Sequence, residues 1–404
     1  MKKVIIIGGG ASGLTAAINS KNENNEVIIL EKNKECGKKI LVTGNGKCNY
    51  YNDDQSLEHY HSSNLEVVSD YINKERINKI LPFFKSIGIF PDIKDGYYYP
   101  MSNQAISIRN ALVRECENRK IKIVYNCEVN DIKKMNNEFI VKTNIDEYRS
   151  DILVISTGSK AFSKTGSTGD GYEFAKRLGH NIIKPLPGLV QLVSDNKIKE
   201  AAGVRCKVKL SLFENNDLIK EEVGELQITD YGISGIVSMQ LSSYISKGLN
   251  NGNKEDIYIN FLPVIDNIEV FINDLNNNVK NRTISELLDG LLNYKLVNMI
   301  LKQCKINGDE YYYNLDENLK QKLISNLSSY KLNINGTKGF DNSQICIGGI
   351  PLEELKETYE SKIIDNLFFT GEIIDINGDC GGYNLSISWI SGIEVGERIK
   401  NECL

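Results

Sequence analysis

The stretch Val4-Ile5-Ile6-Ile7-Gly8-Gly9-Gly10-Ala11-Ser12-Gly13 decides the fold. Four apolar, β-branched residues read as a buried strand, and they run straight into a G-x-G-x-x-G turn. Residues 14–18 have helical character, with small residues at Ala11, Ala16 and Ala17. A second apolar run, 27–30, ends in Glu31. In a strand–turn–helix–strand unit each part has a task. Gly8 makes the tight turn, Gly10 lets a pyrophosphate approach the backbone, and Gly13 lets the helix pack on the sheet. The helix N-terminus offers unpaired N–H groups and the positive end of its dipole to phosphates. Glu31 can accept the hydroxyl hydrogens of a ribose and disfavours a 2′-phosphate. The glycine pattern alone is weak. With a strand before it, a helix after it and an acid at the next strand end, it specifies a dinucleotide site, with FAD and NAD both open.

A chain of 404 residues has room for two or three domains. Hydrophobic content of 41% and charged content of 25% are those of a globular enzyme. A net charge of −5 and the lack of a long Lys/Arg run argue against a nucleic-acid partner. No apolar stretch approaches 18 residues, so no membrane span is expected. The apolar run behind Met1-Lys2-Lys3 is too short for a signal peptide and reads as the first strand. Nine cysteines without a C-x-x-C fit a reducing cytoplasm rather than a disulfide framework. The three histidines give no metal-site spacing, and none is assigned a metal. His59 and His61, flanking Tyr60 in a polar segment, read as a solvated loop.

Along the chain, Thr43-Gly44-Asn45-Gly46-Lys47-Cys48-Asn49 has the chemistry of a loop wrapped around a polar cofactor. Residues 57–90 read as helical, 121–151 as a β-meander, and 152–155 as another buried strand ending in Ser156-Thr157-Gly158. Antiparallel strands are expected over 189–193, 206–213, 218–228 and 257–262. Helix follows from 266 to about 330, with Thr283 and Glu286 in capping-box spacing. The return has an apolar run ending in Thr370-Gly371-Glu372, then Asp375-Ile376-Asn377-Gly378-Asp379-Cys380-Gly381-Gly382-Tyr383-Asn384, then a last helix. A ligand touched by both ends of the chain is large and extended, which favours FAD over NAD. The last helix, starting after Gly382, could point at the flavin N1–C2=O edge, and Glu372 is placed for ribityl hydroxyls.

The combination GGGASG, TGNGKCN, STGSKAFSKTGSTGDGYEFAKRLGH, ITDYGISG and FFTGEIIDINGDCGGYNLSISWISG resembles the bacterial BaiN-like or aminoacetone-oxidase-like FAD-dependent oxidoreductases. The resemblance spans essentially the whole chain. It implies an α/β fold of the glutathione-reductase type. A Rossmann-like FAD domain, 1–187 and 334–404, is interrupted by a β-barrel, 188–265, and a helical insert, 266–333. It implies cofactor contacts at Gly8, Gly10, Ala11, Ser12, Gly13, Glu31, Lys32, Lys39, Thr43, Gly44, Gly46, Lys47, Cys48, Asn49, Val129, Thr157, Gly158, Gly371, Glu372, Asp375, Gly382, Tyr383, Asn384 and Leu385. One departure is Gly96-Tyr97-Tyr98-Tyr99-Pro100, where the family commonly carries Gly-Arg-x-Phe-Pro. The change replaces a carboxylate anchor with an aromatic pocket.

Tyr97, Tyr98, Tyr99 and Tyr231 are candidates for the substrate side, although consecutive tyrosines of a strand alternate faces. His180 reads as a helix cap rather than a base, and Trp389 as core. Cys48 and Cys380 read as incidental thiols rather than a redox pair. The expected activity is hydride exchange between flavin N5 and a small organic substrate, with NAD(P)H or O₂ as electron partner. An amine oxidase and a non-catalytic flavin-binding or RNA-modification partner are the alternatives. The catalytic side chains and oligomeric state stay open.

Overall fold

The computed structural model describes residues 1–279 and 281–403. Two compact units emerge, Met1–Leu186 with Gln344–Leu404, and Pro187–Ser343.

The first unit is built on a five-stranded sheet. Strand β1 (Lys2–Ile7) lies at its centre, beside β2 (Asn25–Leu30) on one side and Ile152–Ile155 on the other. Lys122–Val124 and Leu367–Phe369 are the edges. Every pairing is parallel. Val4, Ile5, Ile6 and Ile7 are buried, as are Ile152, Leu153, Val154 and Ile155, because a parallel strand is covered on both faces. The chain leaves β1 for β2 and returns on its other flank at Ile152–Ile155. That reversal creates a crevice at the carboxyl ends of these strands, where open α/β sheets take ligands.

Helix α1 (Ala11–Ser20) and the C-terminal helix Tyr383–Glu402 pack backbone to backbone. A Cβ on Gly392 would come within 2.7 Å of the Ser12 carbonyl oxygen, and one on Gly396 within 2.8 Å of the Ala16 carbonyl oxygen. The two ends of the chain therefore meet in one rigid pairing. Trp389, fully buried on the C-terminal helix, donates its indole N–H to the Tyr50 carbonyl at 3.0 Å.

The sequence reading needs correction in three places. Residues 57–90 are not one helical stretch. They form short pieces, Val68–Tyr71, Lys74–Ile77 and Ile80–Ser86, preceded by a strand at Tyr60–His61. Asn73 interrupts the periodicity by capping the second piece, its side chain accepting from the Arg76 N–H. The expected meander is three-stranded, Val129–Met135, Glu138–Thr143 and Glu147–Ser150, while Lys122–Val124 joins the parallel sheet.

The third correction concerns the insert. In the second unit a six-stranded barrel closes in the order Leu192–Ser194, Gly232–Ser234, Asp217–Ile228, Arg205–Glu214, Glu255–Asn260, Tyr330–Thr337. The last strand follows the helices, so a boundary at 333/334 would cut through it. Barrel and helices also share one core, in which Leu210, Ile257 and Leu332 belong with Ile272, Leu288, Ile300 and Leu323. The second unit also contains a helix, Ile236–Asn250, beyond those expected, with Val237, Leu241 and Ile245 buried at four-residue spacing. The capping box at Thr283 and Glu286 is present.

Candidate functional site

The glycine turn divides its labour sterically. Gly8 has a φ of 100°, and a Cβ there would sit 2.6 Å from the Ser156 carbonyl oxygen. A Cβ on Gly13 would sit 2.0 Å from the Gly8 carbonyl oxygen. Both positions are closed by protein. Gly10 is the opposite case, with nothing within 4 Å of a Cβ. It is also the N-cap of α1, with no side-chain cap bond and no acid in the first turn. The helix start is bare backbone facing open space, with Ala11 and Ser12 behind it, and its N–H groups and dipole favour an anion there.

Glu31 is buried where β2 ends. Its Oε2 accepts from the Gly9 N–H at 2.8 Å, and its Oε1 accepts from the Asn33 N–H at 2.8 Å and the Asn33 amide at 2.7 Å. The carboxylate fastens the glycine turn as well as marking the strand end. Lys32 is ion-paired with Asp170 at 2.9 Å and donates to the Thr168 hydroxyl at 2.7 Å. Lys39 pairs with Glu372 at 2.5 Å, and the Ser159 hydroxyl donates to the same carboxylate at 3.0 Å. Glu372 thus ties the Lys39 segment to the C-terminal return.

The segment Ile40–Gly46 is a kinked 3-10 turn with Gly44 and Asn45 in left-handed backbone. Thr43 closes on the Ile40 carbonyl and accepts the Cys48 N–H through its own carbonyl. Lys47 is exposed. Cys48 is fully buried, and burial pushes its thiol up to about 12. Asn49 lies against the start of the C-terminal helix, its Oδ1 3.4 Å from where a Gly382 Cβ would be. That Oδ1 is buried and has no hydrogen-bond partner among the described residues, as is the Thr157 hydroxyl beside Gly158. Buried polar atoms are costly to leave unpaired, so two such atoms in glycine loops mark places for a polar ligand.

At the C-terminal return, Gly371 has left-handed backbone and approaches Ser12, whose Oγ would be 2.6 Å from a Gly371 Cβ. Asp375 accepts from the Ser63 N–H at 2.8 Å and the Ser63 hydroxyl at 2.5 Å, which occupies it with the 62–63 loop. Asn384 is engaged in both directions with Gly378, accepting its N–H at 2.8 Å and donating to its carbonyl at 2.7 Å. The C-terminal helix begins at Gly382 without a side-chain cap. Tyr383 is buried, Leu385 is partly buried, and Val129 is buried at the start of the meander.

The three tyrosines do alternate. Tyr98 is buried and donates to Asp53 at 2.6 Å. Tyr97 and Tyr99 take the other face, Tyr97 close to Gly381 and Tyr99 close to Gly44. Tyr231 belongs to the second unit, where the Lys338 ammonium lies 4.5 Å from its ring centroid. His180 caps through its backbone N–H, which donates to the Ala175 carbonyl. Its ring is buried between Glu354 at 2.8 Å and Ser361 at 2.9 Å.

His59 and His61, expected in a solvated loop, instead form a paired cluster with two carboxylates. His59 Nδ1 is 3.0 Å from Asp379 Oδ2, His59 Nε2 is 3.1 Å from Asp54 Oδ2, and His61 Nε2 is 2.8 Å from Asp379 Oδ1. The contact spans the chain, which is why no local pattern announced it.

Nearly the whole chain matches a known family. The model of the HI0933-like protein Rossmann domain covers residues 2–398. The chain belongs to this family. It is accordingly an FAD-dependent oxidoreductase. It is 36% identical over 402 residues to the 3-dehydro-bile acid delta(4,6)-reductase of Clostridium scindens, covering 98% of each chain. It is 27% identical over 395 residues to the ribosomal RNA dihydrouridine synthase of Haemophilus influenzae, covering 96% of each. A flavocytochrome c3 fumarate reductase in its open conformation shares the fold, with a TM-score of 0.53 at 15% identity, covering 100% of this chain and 78% of that one. Among the described residues no helix is long and apolar enough to cross a membrane.

Proposed function

We propose that this member of the family is a reductase that carries FAD and saturates a conjugated C=C bond of a small organic molecule. The observation that carries the reading is the pairing of two helix starts without a side-chain cap, at Gly10 and Gly382, on helices that touch backbone to backbone. One suits a pyrophosphate and the other an electron-accepting ring, and FMN would leave the first without a purpose. The end-to-end likeness to a reductase at 36% identity supports the direction of the reaction.

Bound flavin supplies a hydride donor at N5. The chain's own residues do the rest. The first N–H groups of α1 would hold the phosphates, with Glu31 on the ribose. Thr157 and Asn49 would satisfy their unpaired oxygens on polar edges of the cofactor. The dipole of the C-terminal helix would stabilise negative charge on the reduced ring. Tyr97 and Tyr99, on one face of their strand, would give an apolar wall that excludes water and takes a flat substrate.

The dihydrouridine synthase relatives favour a second reading, ribosomal RNA as substrate, and they reopen the expectation of no nucleic-acid partner. The net charge of −5 counts against it, since RNA binding rests on clustered cations. Nine free cysteines agree with a cytoplasmic enzyme. Anaerobic photometry separates the readings. We expect released FAD by mass, bleaching by NADH or NADPH, and reoxidation by a conjugated enone. Bleaching by amines alone would make the protein an oxidase, and dihydrouridine formed in a ribosomal RNA transcript would establish the second reading.

A further inference from the structure

The His59 cluster lies beside the start of the C-terminal helix and has no part in the reading above. Tyr60–His61 pairs antiparallel with Asn377–Gly378, which brings the histidine segment onto the loop ahead of Gly382. The Asp379 N–H donates to the His59 carbonyl at 3.0 Å. Asp379 then accepts from both imidazoles, one on each oxygen. The second nitrogen of His59 reaches Asp54. An imidazole with a carboxylate on each nitrogen can satisfy both only as the doubly protonated cation. Its ring is stacked on Tyr383, the first residue of the helix, with centroids 4.6 Å apart and planes 21° apart. Tyr383 is fixed at its hydroxyl by the Asn52 amide, which donates to it at 3.0 Å.

The charges around His59 come from both segments. Asp54, Glu58 and His61 stand on its own, and Asp379 and Tyr383 on the helix side. Partial burial pulls the imidazole down, but the hydrogen bonds it donates to Asp379 and Asp54 prevail and raise its pKa above the ordinary value. Asp379 is held below the usual carboxylate range by the two histidines, against the effect of its burial.

Resting on the reading that the Gly382 helix start meets the isoalloxazine end of FAD, we infer that His59 is a positioning residue for that cofactor: clamped by Asp379 and Asp54 and stacked on Tyr383, it carries a proton whose charge acts through Tyr383 on the flavin's reduction potential. A positive charge at that end favours the reduced, more negative ring. While His59 is protonated the potential is more positive, and loss of the proton makes reduction harder. Asp379 is essential because it aligns the ring and keeps the proton in place. The arrangement makes the electron affinity of the cofactor respond to pH near neutrality without any group touching the reacting atoms.

The test uses the FAD-loaded full chain. Spectroelectrochemical titration from about pH 5.5 to 9, the range in which histidine changes charge, is paired with NMR of labelled histidines in loaded and flavin-free protein. With three histidines, His59→Asn and His61→Asn assign the signals. We expect His59 to titrate above a free imidazole, and Asp379→Asn to lower it. The plot of potential against pH should bend at the His59 pKa in the wild type. His59→Asn should remove the bend and shift the potential negative below it. His59→Lys should restore the positive potential without the bend. An ordinary His59 titration, or an unchanged bend in His59→Asn, overturns the inference. A protein that takes up no flavin overturns the parent reading and this one together, whereas flavin uptake with no bend overturns this one alone.

Discussion

Two helices of one unit begin on an uncapped glycine, α1 at Gly10 and the C-terminal helix at Gly382, yet their surroundings are opposite. Around Gly10 there is backbone and open space. Around Gly382 there is a dense set of side chains: Asn49, Asn52, His59, Asp379 and Asn384 all bond or pack within a few residues of the helix start. A phosphate needs only N–H groups and a dipole, and those are supplied by backbone whatever the side chains are. A redox-active ring changes charge during the reaction, so its environment is worth tuning, and only side chains can be tuned. On the proposed function, the first helix start would be a socket of general use, and the second would carry whatever is particular to this enzyme.

The comparison breaks most easily at the socket. Gly13→Ala drives a Cβ into the Gly8 carbonyl and the Ser156 hydroxyl. It should destabilise the flavin-free protein by about 3 kcal/mol or more, the upper range for overpacking a closed site. Gly10→Ala meets nothing, and its φ of −81° is open to alanine. It should leave flavin-free stability within about 0.5 kcal/mol, as for sites without contacts, and weaken FAD binding. Denaturant unfolding and fluorescence titration on both variants check this. Equal stability losses would mean that Gly10 is structural and the open space is not a ligand's.

Glu31→Ala should weaken FAD by roughly 1.5–3 kcal/mol, the scale of lost charge-assisted hydrogen bonds. Because Glu31 also holds the Gly9 and Asn33 N–H groups, the flavin-free protein should lose stability as well. An unchanged dissociation constant by fluorescence titration would mean that the ribose is not held there.

A pH effect at the C-terminal helix has to be separated from one in the other unit. Glu255 is buried on the barrel opposite Glu214, and burial followed by that neighbour pushes its pKa from 4.5 up to about 7. The folded state keeps a proton that the unfolded chain releases. The stabilisation is complete below about pH 4.5 and is lost as pH rises towards about 7. Glu255→Gln should therefore stabilise the protein at pH 8, by about 1–3 kcal/mol on the linkage scale, and flatten the slope between those limits. Chemical unfolding at pH 5 and pH 8 measures it. A slope unchanged in the variant would place the titrating group elsewhere.

The contrast between the helix starts also explains what could be read from sequence. Val4 to Glu31 is a local pattern: apolar run, glycines, helix and acid follow within one unit, so spacing alone announces it. Four of the six barrel strands were legible in the sequence, but the short strand Gly232–Ser234 reads as a glycine-bounded loop, and the closing strand Tyr330–Thr337 lies beyond the helices, where only the alternation of Tyr330, Leu332 and Ile334 could have returned it to the barrel. The broken helices after residue 57 keep a helical spacing through turns that end each piece, and periodicity does not see turns. The clamp on His59 depends on Asp379, 320 residues away. No window in the sequence holds both partners, and two histidines beside Tyr60 look the same in a solvated loop. Alternation of Tyr97, Tyr98 and Tyr99 was foreseeable because a strand allows nothing else, whereas Glu372 meeting Lys39 and Ser159 needed the fold.

The smallest effect expected is at Cys380, next to Asp379 and two residues before Gly382. A thiolate there would be a rival source of charge at the ring end, and with Cys48 it invites a dithiol reading. Burial first, and then the Asp379 carboxylate, raise the Cys380 pKa, so it stays a neutral thiol at physiological pH. Cys48 is more deeply buried and its pKa is also raised, so neither sulfur is a ready nucleophile or electron carrier. Cys380→Ser changes one atom and removes no charge. It should alter FAD affinity by about threefold or less, the scale of a near-isosteric substitution, and leave the His59 titration where it was. The loaded wild type should show no long-wavelength thiolate-to-flavin band at any pH up to about 9, where a free thiol would ionise. A band that appears on raising the pH and vanishes in Cys380→Ser would move the charge at this helix start from the imidazole to the sulfur.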